Sequence, residues 1–557
     1  MDDREPFAPD PRAEFPARRD FLVRVGGIGA ATLAGVVAPP IAGGRDGSAE
    51  AAGAESLADV RRHLKAYQVR QQAALRLLRR RSSAHPVNGD EELYPSRIGN
   101  YSKCLPHDDL GIVDPAAYDK LIAALASGAG ADFEAIPMGG PVKLANPQSS
   151  YAFDLEGFDS NELGLPAPPA FASAWEASEM AEDYWQALTR DVAFADYATD
   201  PLIAQAAADL SGFSDFRGPK DGGAVTAGTL FRGDTPGDVS GPYLSQFLVK
   251  DIPYGPFLNL PQRYRSSPAG ADYMTSVADC LARQRGIAAP PPVPLEATAR
   301  YIRNGRDLAE WLHRDNGLQG GVHAGLILLG FGPAALDPAN PYLASVTQGS
   351  FTTFGAPFLL DMVARVSNAA LRAGWYQKWL VHRRVRPEAY GLHVHNHVTG
   401  VASYPIHAEL LASDALPAVF TAKGTYLLPM AYPEGSPTHP SYPAGHACFI
   451  GACVTILKAF FKESFVVPSP VVASADGLSL APYVGPDLTV GGELNKLAAN
   501  IAIGRDTAGV HWRSDGIEGL HLGEAVAIGV LEDFRATYHE DFAGFSLTKF
   551  DGTTITV

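Results

Sequence analysis

Between residues 353 and 532 the apolar side chains recur at the three- and four-residue intervals of a buried helix face. The runs cover 353–383, 391–412, 443–462, 491–503 and 513–532. Similar periodicity marks 56–81, 271–285 and 293–315, and 168–212 carries it with a break at Asp200-Pro201. Strand and helix patterns do not alternate and no internal repeat is present, so a parallel α/β sheet and a repeat solenoid are excluded. The reading is an all-α fold with helices packed as bundles. The chain has 44 prolines and 56 glycines, and residues 82–165 and 216–265 read as turns and short segments. Long loops therefore separate the helices. A small hairpin is expected around 546–557.

With 557 residues and 46% hydrophobic composition, the chain can bury a large core and has length for more than one domain. A net charge of -16 argues against nucleic-acid binding, which needs a basic surface. Cys104, Cys280, Cys448 and Cys453 form no CxxC and no dense disulfide pattern, so buried free thiols are expected. Arg18-Arg19-Asp20-Phe21-Leu22 precedes a mildly apolar, glycine-rich run from Val25 to Pro40. Such a segment resembles a twin-arginine export signal and is too short for a convincing membrane span. Residues 1–54 are read as that segment and a linker, giving an exported or periplasmic protein, or a cytoplasmic one if the segment is only a tail. No stable membrane insertion is expected.

Three stretches carry the chemistry. The first, Tyr376-Gln377-Lys378-Trp379-Leu380-Val381-His382-Arg383-Arg384-Val385-Arg386-Pro387-Glu388, ends a long helical run. Pro387 disfavours helical backbone at Arg386 and so turns that guanidinium away from the helix. The second, Ser436-Pro437-Thr438-His439-Pro440-Ser441-Tyr442-Pro443-Ala444-Gly445-His446-Ala447, leads into a helix starting near Pro443. Unpaired N–H groups in that first turn favour an anion, and Gly445 permits close approach. The third sets Arg505 after an apolar helical run, with His511 and Asp515 following. An acidic protein that gathers a lysine and two arginines in one place needs an anion there. Arginine offers forked donors and lysine a point charge; one histidine suits coordination or attack and another proton transfer.

The ordered set Lys378, Arg386-Pro387, Pro443-Ala444-Gly445-His446, Arg505, His511 and Asp515 resembles the type 2 phosphatidic acid phosphatase and vanadium haloperoxidase superfamily. The wider text, Tyr101 to Gly111 with the first two stretches, is closer to the vanadium-dependent bromoperoxidases of red algae and their bacterial relatives. The likeness runs from about residue 55 to the end. It implies two four-helix bundles, an N-terminal one over about 55–345 and an active-site one over about 346–557. It further implies that His511 coordinates vanadium. Lys378, Arg386, Arg505 and the Gly445 N–H then hold vanadate oxygens, His446 meets the apical oxygen and handles protons, and His439 is an additional pocket histidine. Hydrogen peroxide, bromide or iodide, and an electron-rich organic acceptor are the implied partners. A dimer-based homo-oligomer, a dodecamer in particular, is the implied assembly.

Two departures mark off the phosphatase branch. The Lys378-to-Arg386 spacing is one residue longer than the phosphatase pattern, and Gly504 stands where phosphatases usually carry serine. A third touches the cofactor: Ala444 occupies a position where most members of both branches have a serine that donates to the anion. Two alternatives stay open at this point, a phosphatase using His511 as nucleophile and a non-catalytic oxyanion-binding or assembly protein. His393, His395 and His397 would share a face only in a strand. In the expected helix residues two apart do not face each other, so a metal there is disfavoured. Calcium stays open, since acidic residues are plentiful but no loop motif is evident.

Overall fold

The computed structural model describes residues 57–557; the export-like segment lies outside them. Residues 64–557 form one compact unit, and 57–63 belong to a separate one, where they are helical. The chain is mostly helical, with minor antiparallel hairpins. The principal helices are α1 (Leu57–Arg79), α2 (Ala174–Thr189), α3 (Gly305–Arg314), α4 (Gln319–Gly330), α5 (Ala356–Tyr376), α6 (Pro387–Val398), α7 (Gly445–Phe460), α8 (Val490–Thr507) and α9 (Arg513–Arg535). Among the described residues no helix is long and apolar enough to cross a membrane.

Local sequence sets most of the ends. Ser173 caps α2 by accepting from the Glu176 N–H, Asn304 caps α3 through Asp307, and Thr489 caps α8 through Gly492. The expected hairpin forms between β5 (Ser546–Thr548) and β6 (Thr554–Thr556), with Leu547 opposite Ile555. Two more hairpins went unanticipated, β1 (Ile252–Pro253) with β2 (Asn259–Leu260) and β3 (Val471–Ala473) with β4 (Leu480–Pro482). Both are too short to show a period in sequence. The expected helix over 293–315 shrinks to α3, because Arg300 and Asn304 pair as extended backbone with Tyr264 and Ala193, and Asn304 then caps the helix. The run 391–412 breaks after Val398, where Gly400 takes a positive φ of 76°.

The site rests on two cores. α7 packs on α5, α8 and α9, and α9 also packs on α5 and α8. Leu494, Leu497 and Ile501 of α8 join that core, while Ala499 and Ile503 of the same helix join a second core around α2 and α6. A helix buried all round is held from every side. Arg505, near its C-terminal end, is fixed accordingly. All four cysteines are free and buried.

Among the buried polar groups, His382 and His393 have their pKa pushed down to about 3. Burial is the main cause, with His85 adding for His382 and His107 for His393. A histidine with depressed folded pKa binds fewer protons than its unfolded counterpart, so its neutral burial is harmless above pH 6.5 and costs stability as pH falls from there toward 3. The urea midpoint is therefore expected to fall steeply between about pH 6.5 and 4. His393→Gln should flatten that limb; an unchanged acid limb would refute the assignment.

Candidate active site

The end of α5 runs into a π-helical turn, Gln377–His382, and Arg383 then adopts a positive φ of 46°. Wide turns of this kind re-aim side chains at functional sites. Arg386 has φ -88° and ψ 151°, the extended backbone that the following proline demands, and it forms the N-cap of α6. Lys378 and Arg386 are thereby brought to one place although no continuous helix joins them.

Lys378 is fully buried, and its ammonium donates to the carbonyls of Pro440 (2.8 Å) and Ser441 (2.7 Å). Arg386 donates to the His439 carbonyl at 2.9 Å and to the Val510 carbonyl at 2.5 Å. It also reaches His511 Nε2 and His439 Nδ1, each at 3.0 Å. Arg505 donates to the Leu312 carbonyl at 3.1 Å and the Tyr432 hydroxyl at 3.3 Å, and its buried Nε has no partner. His511 Nδ1 lies 2.8 Å from Asp515 Oδ2. Since the carboxylate accepts, Nδ1 carries the proton, and the Nε2 lone pair faces the pocket, where it accepts from Arg386 NH1 at 3.0 Å.

Behind His511 sits a charged scaffold of which the sequence singled out only Asp515. Asp515 accepts from the Ser441 hydroxyl, from the Trp512 N–H at 3.2 Å and from Arg384 at 2.9 Å. Arg384 is shared with Glu176 and Glu179 of α2. Only the contact between distant segments identifies this group, since each residue alone reads as ordinary helix polarity.

Ala444 is wholly buried and is the N-cap of α7, without a side-chain cap; its N–H donates to the Asp515 carbonyl at 2.8 Å. Gly445 begins the helix, and a Cβ there would come within 3.3 Å of Leu371 and 3.5 Å of Trp375. His446 points Nε2 at Asp315, 3.1 Å away, and its ring lies 4.8 Å from that of Phe449. His439 stacks obliquely on Trp375 at 4.7 Å.

The electrostatics point to a missing negative charge. Burial and then Arg386 drive Lys378 well below its ordinary pKa; burial brings Arg386 down to about 10. Burial and then the Arg386, Lys378 and Arg505 charges hold His511 well below its usual range. His439 is lowered by burial and Lys378, and His446 by burial and Arg505. Three buried cations with an unpartnered guanidinium N–H, next to neutral imidazoles, fit a polyoxygen anion with an acceptor site for one imidazole nitrogen.

Among the described residues no group of three or more His, Cys, Asp or Glu side chains is placed to hold a metal ion, so calcium finds no such cluster. His395 and His397 accept backbone N–H groups of Tyr426 and Tyr404 through Nδ1, while His393 packs on Phe171 and Tyr404. The three diverge. Among the departures from the phosphatase pattern, Gly504 packs so tightly on Leu308 and Leu312 that a serine would press on both.

Residues 359–540 match the family model described as the VCPO second helical-bundle domain. A vanadium-dependent bromoperoxidase from Ascophyllum nodosum is 36% identical over 494 residues, covering 84% of this chain and 87% of the relative. One from Corallina officinalis is 36% identical over 560 residues, covering 85% and 92%. The solved structure of the second vanadate-dependent bromoperoxidase (AnII) from Ascophyllum nodosum superposes with TM-score 0.85 at 32% identity, covering 93% of this chain and 94% of that one. That relative is a homohexamer, which overturns the expectation of a dimer-based dodecamer. The expectation rested on pocket motifs, whereas subunit number is set by surfaces outside the pocket. With near-full-length identity above 30% and the same helical scaffold beneath the cationic pocket, the chain belongs to the vanadium-dependent bromoperoxidase family.

Proposed function

We propose that the Lys378, Arg386, Arg505 and His511 pocket binds vanadate, and that the protein uses hydrogen peroxide to oxidise bromide or iodide to a hypohalous acid equivalent that halogenates electron-rich organic acceptors. The observation that carries this reading is the Asp515–His511 contact beside three buried cations. It presents a neutral imidazole nitrogen and a charge-complementary cage to one ligand. His511 Nε2 would ligate vanadium, with Lys378, Arg386, Arg505 and the Gly445 N–H on the oxygens and Ala444 lining the cage. Bound vanadate supplies a Lewis acid that activates peroxide toward halide without itself changing oxidation state.

The chain's own groups supply the rest. Asp515 fixes the His511 tautomer, and Arg384 holds Asp515 in place through a contact at 2.9 Å. The Lys378 ammonium, tethered on two carbonyls, adds positive charge where oxygen must become electrophilic. His446, hydrogen-bonded to Asp315 and partly exposed, is placed to pass protons to and from solvent, and His439 lines the pocket beside Arg386. The test is bromide-dependent halogenation of a dye by peroxide, with and without added vanadate, run beside a phosphomonoester assay. Vanadate-dependent halogenation supports the reading; phosphomonoester turnover alone would replace it with a phosphatase.

Ala444 gives a direct prediction. A serine there would supply a helix-capping oxygen and a donor to the anion. Ala444→Ser is expected to tighten vanadate binding by about tenfold or more, following the 1.5–3 kcal/mol of a charged hydrogen bond. Titration of vanadate-free protein measures it, and unchanged affinity with unchanged halide kinetics refutes it.

Two broader readings go with this function. The division into two four-helix bundles, about 55–345 and 346–557, is supported for the second part by the mutual packing of α5, α7, α8 and α9 and by the family match over 359–540. An exported or periplasmic location is supported by Arg18-Arg19 and the mild apolar run after it. Fractionation with and without an Arg18/Arg19 double lysine substitution tests that point.

A further inference from the structure

Tyr432 lies outside the motif residues, yet it is buried against the cationic pocket. Its hydroxyl donates to the Ala309 carbonyl at 2.6 Å. The proton is thereby committed, and the oxygen lone pairs face Arg505, whose NH1 donates to that oxygen at 3.3 Å. The same NH1 also donates to the Leu312 carbonyl. Leu312 and Ala309 both belong to α3, so the tyrosine and the arginine are pinned to one helix. The Arg505 guanidinium lies 5.4 Å from the Tyr432 ring centroid.

His313 stacks on the Tyr432 ring at 4.0 Å, with the planes 10° apart. His313 is itself clamped between Glu310 of its own helix and Glu434, two residues beyond Tyr432. The ring is therefore gripped from α3 and from the loop that carries it. With both protons of its NH1 engaged, Arg505 is left with an unpartnered Nε–H. This is the geometry of a donor aimed by its neighbours, since an arginine fork is rigid and fixing one arm fixes the other.

We propose that Tyr432 is a positioning residue for Arg505: by accepting from NH1 it orients the guanidinium toward the anion, and so sets vanadate affinity without touching vanadate. The inference rests on the vanadate reading above. Tyr432→Phe keeps the ring and its stack but removes the acceptor. Direct titration of vanadate-free protein, followed by vanadium NMR or calorimetry, is expected to show a dissociation constant raised about tenfold. In an Arg505→Gln background the same substitution is expected to add no further loss, because its only route to the anion is gone.

Failure of the two readings is distinguishable. Parent protein that binds no vanadate removes the functional reading. Parent protein that binds vanadate while Tyr432→Phe binds it equally well overturns only the assignment of Tyr432. An equal loss in both backgrounds also overturns it, because that is the signature of a general structural effect.

Discussion

Replacing His511 by alanine is expected to abolish vanadate-dependent halide oxidation, by roughly a thousandfold or more, while leaving the fold intact. A metal's Lewis-acid contribution is worth several kcal/mol, and about 4 kcal/mol corresponds to that factor. The imidazole is a neutral nitrogen donor whose orientation is locked from behind, by Asp515 at 2.8 Å. Removing it leaves a cage that still attracts oxyanions through Lys378, Arg386 and Arg505 but offers no ligand to vanadium. His511→Ala should therefore retain weak phosphate or vanadate binding with halogenation lost. Full activity in the variant at saturating vanadate would remove His511 from its assigned role.

The second large effect concerns Arg384, which touches no candidate ligand atom. Its guanidinium is nearly inaccessible and neutralises Glu176, Glu179 and Asp515 at once. Burial already pushes the Glu176 carboxyl up to about 8, with Arg384 pulling it down. Arg384→Met removes the counterion and leaves a buried carboxylate cluster, a loss of about 3–5 kcal/mol. The sign with pH follows. Carboxyls raised above their unfolded pKa disfavour folding where the unfolded chain has ionised and the folded chain has not; the parent already loses stability this way up to about pH 8, and the variant, its carboxyls raised further, falls increasingly below the parent as pH rises through the parent's folded values, about 8 for Glu176. Urea titrations across that range measure it. A midpoint equal to that of the parent protein at pH 8 would show that the cluster holds itself together without the arginine. Vanadate binding should fall as well, because Asp515 loses the Arg384 contact that anchors it beside His511.

Residues that act through their own chemistry were readable from sequence. Pro387 forecast the extended backbone at Arg386, Gly445 the open first turn of α7, and the apolar periodicity of 491–503 a helix delivering Arg505. What stayed hidden works through partners distant in the chain. Glu176 and Glu179 look like the polar side of an Ala-rich helix until Arg384 is placed against them, and Tyr432 looks like core until its hydroxyl is seen between Ala309 and Arg505. The π-helical turn at 377–382 was equally silent, since a single wide turn of six residues is too short to show a period of its own. The oligomer expectation failed for a related reason: the pocket text carries no information about which outer surface meets another subunit.

The main chain anchors Lys378 and Arg386. They donate to the carbonyls of Pro440, Ser441, His439 and Val510, and α8 is wedged between two cores. Backbone acceptors survive a change of side chain, so the segments that supply them can vary in sequence without releasing either cation.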